Sequence, residues 1–284
     1  MLTRQQSFQN QRPTLYLVPT PIGNLNEFSP RAIEILKSVD IIAAEDTRTS
    51  SNLLNKFDIH TRLIAHHNFN EKESTKGIIE LLNQGKNIAV ISDAGYPLIS
   101  DPGYFLVQAC IENQINVVPL SGPSAGLNAL VASGLTATRY LFYGFLNSNL
   151  NEAKKELLSL ENYPFTLIFY VSPHKVSKTV ALVAEILGNR KACLARELTK
   201  KYEEFIRGDL KEILTITETI KGEMVLIVDG KKEAKPAVDM YQINLEINQL
   251  IIEGMSTKQA IANTAKKYEL SKNELYNEYH KQIS

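Results

Sequence analysis

The chain has 284 residues, 44% of them hydrophobic and 22% charged, with 31 Lys and Arg against 31 Asp and Glu. That is a globular profile long enough for two domains, and its zero net charge removes any global electrostatic case for nucleic-acid binding. No apolar run reaches the roughly 20 residues that span a bilayer, and the polar start MLTRQQSFQNQRP lacks a signal peptide's apolar stretch, so a cytoplasmic protein without a membrane partner is expected.

Residues 1–14 read as a flexible tail, and residues 15–138 as a parallel α/β domain. Residues 15–18 form a first strand, followed by the turn-rich loop 19–24, and Ser29-Pro30 opens a helix. Residues 41–44 form a second strand with Glu45, Asp46 and Arg48 directly after it. Thr49, Ser50 and Ser51 offer caps for the next helix. A third strand at 63–65 precedes the loop 66–70, which opens on His66-His67; a helix carrying Ile78, Ile79 and Leu82 then stops at Gly85. The run IAVI at 88–91 suits a strand buried on both faces, and the polar Gly/Pro turn 92–97 follows it. Asp101-Pro102 reads as an N-cap and first helical residue. A fifth strand around Val117 and Val118 leads to SGPS at 121–124 and a small-residue helix. The loops after these strands should gather on one edge of the sheet, where open α/β folds bind ligands.

A second, mixed-sheet domain is expected over 139–230, with 147–151 as a linker, strands at 166–171, 192–195, 203–207 and 224–228, and a helix carrying Val176, Val180, Val183 and Leu187. Residues 231–284 read as a charged linker and a helical segment with capping boxes at Ser256/Gln259 and Ser271/Glu274, in a helix-turn-helix-like order. Cys110 and Cys193 have no CxxC partner and read as reduced thiols, and no metal site is expected.

Neither GxGxxG after the first strand nor GxxxxGK[ST] is present, which disfavours a Rossmann dinucleotide site and a P-loop. The strand-end loops are left to enclose a small molecule. Asp93 can accept hydrogen bonds, and the backbone around Ala94, Gly95, Ser124 and Ala125 is sterically open. Glu45 or Asp46 can accept a proton and Arg48 can clamp a phosphate, or all three can form a capping and salt-bridge network. The span 172–207 holds eight Lys and Arg against four Glu, a local phosphate-binding face or an ordinary solvated one. His174 with Lys175 directly follows a strand and is a further candidate, with helix capping at Ser172 as the plainer alternative.

Seven collinear motifs carry a resemblance: VPTPIGNL (18–25), AEDTRTS (44–50), SDAGYPLISDPG (92–103), SGPSAGLNAL (121–130), FYVSPHK (169–175), RELTKKYEE (196–204) and GEMVLIV (222–228). Together they resemble the tetrapyrrole-methylase superfamily, and within it the bacterial enzymes that methylate the ribose 2′ oxygen of a decoding-centre cytidine in 16S ribosomal RNA. The resemblance implies the class III methyltransferase fold: two α/β domains plus a small C-terminal helical appendage, in a homodimer, with S-adenosylmethionine in the cleft between the domains. It implies that Asp93, Ala94, Gly95 and Leu98 contact the cofactor, with Ser124 and Ala125 across from them and Tyr170 and Val171 lining the cleft. RNA in the small ribosomal subunit would then run along His174, Lys175, Arg196 and Lys200. The sequence departs from the family at Tyr96, Ser121, Tyr143, Asn147, Val171 and Lys175; Val171 stands where a glutamate is usual, which removes a carboxylate beside the cleft. A tetrapyrrole C-methyltransferase and a non-catalytic ribosome-assembly factor are the alternatives.

Overall fold

The computed structural model of the chain describes residues 3–7, 9–10, 12–67, 71–232, 239–268 and 270–281. Residues 68–70 of the expected loop and 233–236 of the expected linker lie outside the described residues. The chain divides into two compact units, Met1–Lys231 and Lys232–Ser284.

The first sheet is built from β1 (Thr14–Leu17), β2 (Ile41–Ala44), β3 (Arg62–Ala65), β4 (Ile88–Ile91) and β5 (Asn116–Pro119). Their order is β3-β2-β4-β1-β5 and every pairing is parallel. The helices between and after them are α1 (Pro30–Ser38), α2 (Thr47–Lys56), α3 (Glu71–Asn83), α4 (Tyr104–Glu112) and α5 (Ala125–Ala132). Strand alternation sends Ile41, Ala43, Ile88 and Val90 to one face with Leu106 and Cys110. Ile42, Ala44, Ala89 and Ile91 go to the other face with Leu36 and Leu54. Both faces are therefore dry, which is why these strands read as unbroken apolar runs.

The second sheet comprises β6 (Tyr140–Phe145), β7 (Thr166–Val171), β8 (Lys191–Arg196), β9 (Glu204–Asp209) and β10 (Met224–Val228), in the order β6-β7-β10-β8-β9. Only β6 and β7 pair in parallel; the rest are antiparallel, as the short spacing between these strands predicts. One face packs Leu167, Phe169, Leu194 and Leu226 beneath α6 (Leu150–Ser159), α7 (Val176–Leu187) and α8 (Leu210–Leu214). The other face receives α5: Ala129 and Leu130 cluster with Ile168, Cys193, Val225 and Ile227. A helix that follows a strand of the first sheet thus roofs the second sheet and fixes how the two meet. The two cysteines are buried in different clusters, one per sheet.

Four local readings are corrected. Residues 147–151 are not a linker: Asn149 caps α6, its side chain accepting from Asn151 N at 2.9 Å and Glu152 N at 3.4 Å. The cap of α2 is Asp46 rather than Thr49, Ser50 or Ser51. Asp101-Pro102 does not start α4, whose N-cap is Gly103 at φ 129°, with its amide held by the Glu71 carboxylate at 2.8 Å. Within the tail, the Gln5 side chain donates to Val117 O and accepts from Val117 N, both at 2.9 Å, and so pairs with the edge strand β5.

The C-terminal unit has α9 (Met240–Ile252), α10 (Thr257–Lys267) and α11 (Lys272–Lys281) around Ile243, Ile247, Ile261 and Leu275. The Ser256/Gln259 capping box is formed, and Ser271 Oγ accepts from Glu274 N at 3.4 Å. Among the described residues no helix is long and apolar enough to cross a membrane.

Candidate active site

The carboxyl ends of β1, β2 and β4 face the ends of β6, β7 and β10 across a cavity of about 540 Å³. Its floor is the β4 loop. Thr20 and Gly95 form a β-bridge, with Thr20 N to Gly95 O at 2.9 Å and Gly95 N to Thr20 O at 3.0 Å, and Thr20 Oγ1 donates to Ser92 O at 3.0 Å. Gly95 takes φ 81°, where an L side chain is strained. Leu98 and Ser100 also have positive φ, 72° and 70°, without glycine's freedom. These reversals bring Ile99, Ser100 and Asp101 to the cavity wall.

Of the expected cofactor contacts, Asp93, Ala94, Gly95, Ser124, Ala125, Tyr170 and Val171 line this cavity, and Leu98 does not. Leu98 turns back toward Gly103, where an added Cβ would come within 2.9 Å of its Cδ1. Ser124 and Ala125 sit at the amino end of α5, the side of a helix dipole that favours an anion. Tyr170 packs edge-on against Phe142 and Phe145, with ring centroids 5.0 and 5.4 Å apart.

Three acidic side chains from the first-sheet loops, Glu45, Asp93 and Asp101, share the cavity. A fourth, Glu223, comes from the second sheet and is paired with Lys200. Burial raises Glu45, Asp93 adds to the rise and His67 opposes it. Burial likewise raises Asp93, with Asp46 adding to it. Asp101 is pushed up to about 7 by burial and then by Glu45 and Asp93, against a hydrogen bond from Ser92. Burial and Asp101 also lift the Tyr170 phenol, against the Gly126 backbone.

The remaining expected residues lie elsewhere. Asp46 does not line the cavity: its Oδ1 accepts from Arg48 N at 2.9 Å and its Oδ2 meets Thr49 Oγ1 at 3.4 Å, which holds its pKa below the usual range. Both oxygens accept from the first turn of the helix. Arg48 points outward with 92% of its side chain exposed. His174 and Lys175 are exposed in a 3-10 turn just past Ser172 and Pro173, which do line the cavity. Arg196 is bound internally, to Glu204 and at 2.9 Å to Lys221 O. Lys200 Nζ lies 3.1 Å from Glu197 and 2.6 Å from Glu223. Arg190 and Arg207 also spend their guanidinium groups on backbone carbonyls, so these four of the eight basic residues of the expected face are bound within the protein.

Sequence reasoning assigned no site role to Asp101, Phe145, Leu198 or the segment 223–225, all of which line the cavity. The segment 223–225 arrives by pairing, since Met224 lies opposite Val171 and Val225 opposite Tyr170. Asp101 carried a signal inside SDPG, but a cap before proline was the plainer local meaning. Tyr96, noted only as a departure from the family, also lines the cavity and accepts from Gly122 N at 2.9 Å, so its phenol ties the β4 loop to the β5 loop.

The family model for tetrapyrrole (corrin/porphyrin) methylases matches residues 14–214. A ribosomal RNA small subunit methyltransferase I of Bacillus subtilis (strain 168) is 44% identical over 99% of each chain. Its namesake in Streptococcus pyogenes serotype M18 is 43% identical over 97% of this chain and 98% of that one. The solved uroporphyrin-III-C-methyltransferase of Thermus thermophilus superposes with a TM-score of 0.55 at 16% identity, covering 77% of this chain and 94% of that one, a likeness of fold alone. The chain belongs to the tetrapyrrole (corrin/porphyrin) methylases, in the group that holds the ribosomal RNA small subunit methyltransferase I proteins.

Proposed function

We propose that this chain is an S-adenosylmethionine-dependent methyltransferase acting on the ribose 2′ oxygen of a decoding-centre cytidine in 16S ribosomal RNA, in the cytoplasm and as a homodimer. The observation that carries the reading is the acidic, aromatic-edged cavity at the strand ends. The volume falls in the range of small-ligand sites. Carboxyl groups facing an apolar wall suit a cationic ligand, and the aromatic residues Tyr170 and Phe145 line the same cavity. The residues present therefore fit the donor, which supplies an activated methyl group on a sulfonium. Asp93, Ala94 and Gly95 would hold it on one side, Ser124, Ala125, Tyr170 and Val171 on the other.

Positioning the ribose oxygen in line with the methyl group would supply much of the acceleration. Glu45 is the one expected catalytic residue that lines the cavity, and it would accept the hydroxyl proton. Arg48, His174 and Lys175 stand in solvent and would meet backbone phosphates. The relatives, ribosomal RNA methyltransferases by name, favour ribosomal RNA over a tetrapyrrole, since they match end to end at 43–44% identity. The domain division at residue 138 and the homodimer are held as parts of the same reading; exposed Tyr104, Phe105, Leu127 and Val131 on α4 and α5 offer an apolar face for a second copy.

The test supplies methyl-labelled donor with purified small ribosomal subunits, naked 16S RNA or uroporphyrinogen, and analyses RNA nucleosides by mass spectrometry. Label in 2′-O-methylcytidine is expected. Label in the tetrapyrrole alone, or donor binding without any label on RNA, would overturn the reading.

A further inference from the structure

We propose that Asp101 is the residue by which the cavity distinguishes the cationic methyl donor from its neutral thioether product: it holds a proton in the empty cavity and releases it when a cation enters. This rests on the reading of the cavity as a sulfonium-donor site and adds a residue-level reason for its preference.

The lining of the cavity points to that proton: Glu45, Asp93 and Asp101 share it, and among the described residues that line it none is Lys, Arg or His. Ser92 is 2% exposed, its Oγ donates to Gly95 O at 3.1 Å, and it is also the hydroxyl that tempers the rise of Asp101. The hydroxyl has one hydrogen and would face two acceptors if Asp101 were ionised. With Asp101 protonated, the Ser92 hydroxyl keeps its hydrogen for Gly95 O, the bond the structure shows. On ionisation the hydroxyl turns to Asp101, and Gly95 O keeps its bond from Thr20 N at 2.9 Å, so no buried acceptor is stranded. The groups facing Asp101 are Glu45 at the end of β2, Asp93 and Ser92 in the β4 loop, and the Tyr170 phenol from β7. Two are carboxyls and none is a cation. Glu71, on the α3 side, is bound to the Gly103 amide, and Glu223, from the second sheet, is bound to Lys200. His67, past the end of β3, acts on Glu45 and not on Asp101, so among the described residues a proton is the positive charge left to Asp101 until a cationic ligand supplies another.

The consequence is a linkage with a definite sign. Asp101 sits near 7 when the cavity is empty. An adjacent sulfonium favours its ionised form and lowers it. Donor binding at pH 6 would then expel about 0.9 proton, and donor affinity would fall about 10-fold from pH 8 to pH 6. The product carries no charge on sulfur, so its affinity would change less than about 2-fold over the same interval.

The experiment is isothermal titration calorimetry on the full chain, with S-adenosylmethionine and S-adenosylhomocysteine, in buffers of different ionisation enthalpy at pH 6, 7 and 8. Wild type should release the proton with the donor and not with the product. Asp101→Asn should bind the product as wild type does, which shows an intact cavity, and lose the 10-fold pH dependence for the donor. Ser92→Ala removes a hydrogen bond that lowers Asp101, so the midpoint of the donor's pH dependence should move upward. Equal proton release by donor and product, or an unchanged pH dependence in Asp101→Asn, would overturn the inference and leave the donor-site reading standing. Failure of wild type to bind either compound would overturn both.

Discussion

Lys200→Met separates a structural lysine from an RNA-binding one. The substitution removes the ammonium and keeps a stem over Gly23, where an added Cβ would come within 2.6 Å of Lys200 Cγ. The bridge to Glu223 is mostly solvated, since Glu223 is 71% exposed, and contributes a few tenths of a kcal/mol at about the surface value. The bridge to Glu197 is drier, with side chains 30% and 20% exposed, and contributes about 1 kcal/mol. Glu197 keeps its bond from Glu223 N at 2.9 Å, so it is not stranded. The total loss is about 1–1.5 kcal/mol, a drop of roughly 2–6 °C in Tm. Thermal unfolding followed by circular dichroism measures it. Burial would lower the lysine's pKa, but the hydrogen bonds to Glu223 and Glu197 outweigh it and the net direction is upward. The ammonium's contribution is therefore full below its ordinary value of 10.5 and lost as pH rises through the folded one, so variant and wild type should converge at high pH. Because the charge is already paired, the salt dependence of RNA binding should not change. A phosphate contact would instead make the log–log slope shallower by about 0.7–0.9. An unchanged Tm with a shallower slope would refute the structural assignment.

Three further outcomes follow from the geometry. Asp46→Ala should lower Tm and Asp46→Asn should restore most of it, because the side-chain oxygen that accepts from Arg48 N is what α2 needs; since Asp46 lies below its usual pKa, this support is present above about 3.8 and fades as pH falls through the folded value. Gly230→Ala would drive a Cβ into the Pro164 carbonyl, backbone against backbone, and should cost about 3 kcal/mol in urea unfolding, whereas Gly85→Ala has no neighbour to strike and only its φ of 90° to strain. Val171→Glu places a carboxyl at a 3% exposed site of the second core; its pKa should be raised, so the stability loss should grow as pH rises from 4 to 8, reaching about 2 kcal/mol. A pH-independent loss in that variant would show that the added volume, not the charge, does the damage.

Legibility in the sequence followed the range of the interactions. The run at 88–91 announced β4 because its own residues fill both faces of a parallel sheet. The Ser29-Pro30 start of α1 was readable because cap and amide are three residues apart, with Ser29 Oγ accepting from Ala32 N at 3.1 Å. The basic stretch misled because its partners are remote or are backbone groups: Arg196 reaches Lys221, Lys200 reaches Glu223, and Arg207 reaches Ala132 and Ser133 at the end of α5. Charge counting along the chain cannot register a guanidinium bound to a distant carbonyl. The start of α6 was hidden for the opposite reason, since Asn147, Ser148 and Asn149 have loop composition while Asn149 acts as a cap.

Asp101 joins these two cases. A local rule, acid before proline, assigned it to a helix terminus, and the Glu71 carboxylate from another helix took over that duty by binding the Gly103 amide. Freed from capping, Asp101 turns into the cavity, and the chain accepts left-handed backbone at Leu98 and Ser100 to bring it there, at a cost on the order of 1–3 kcal/mol each. Left-handed backbone next to a half-buried carboxyl among other carboxyls is destabilising on both counts. The arrangement makes sense if a ligand's positive charge completes it. Val171 is consistent with that balance: one more carboxyl at this wall would raise Glu45, Asp93 and Asp101 further and leave the cavity harder to ionise before a cation arrives.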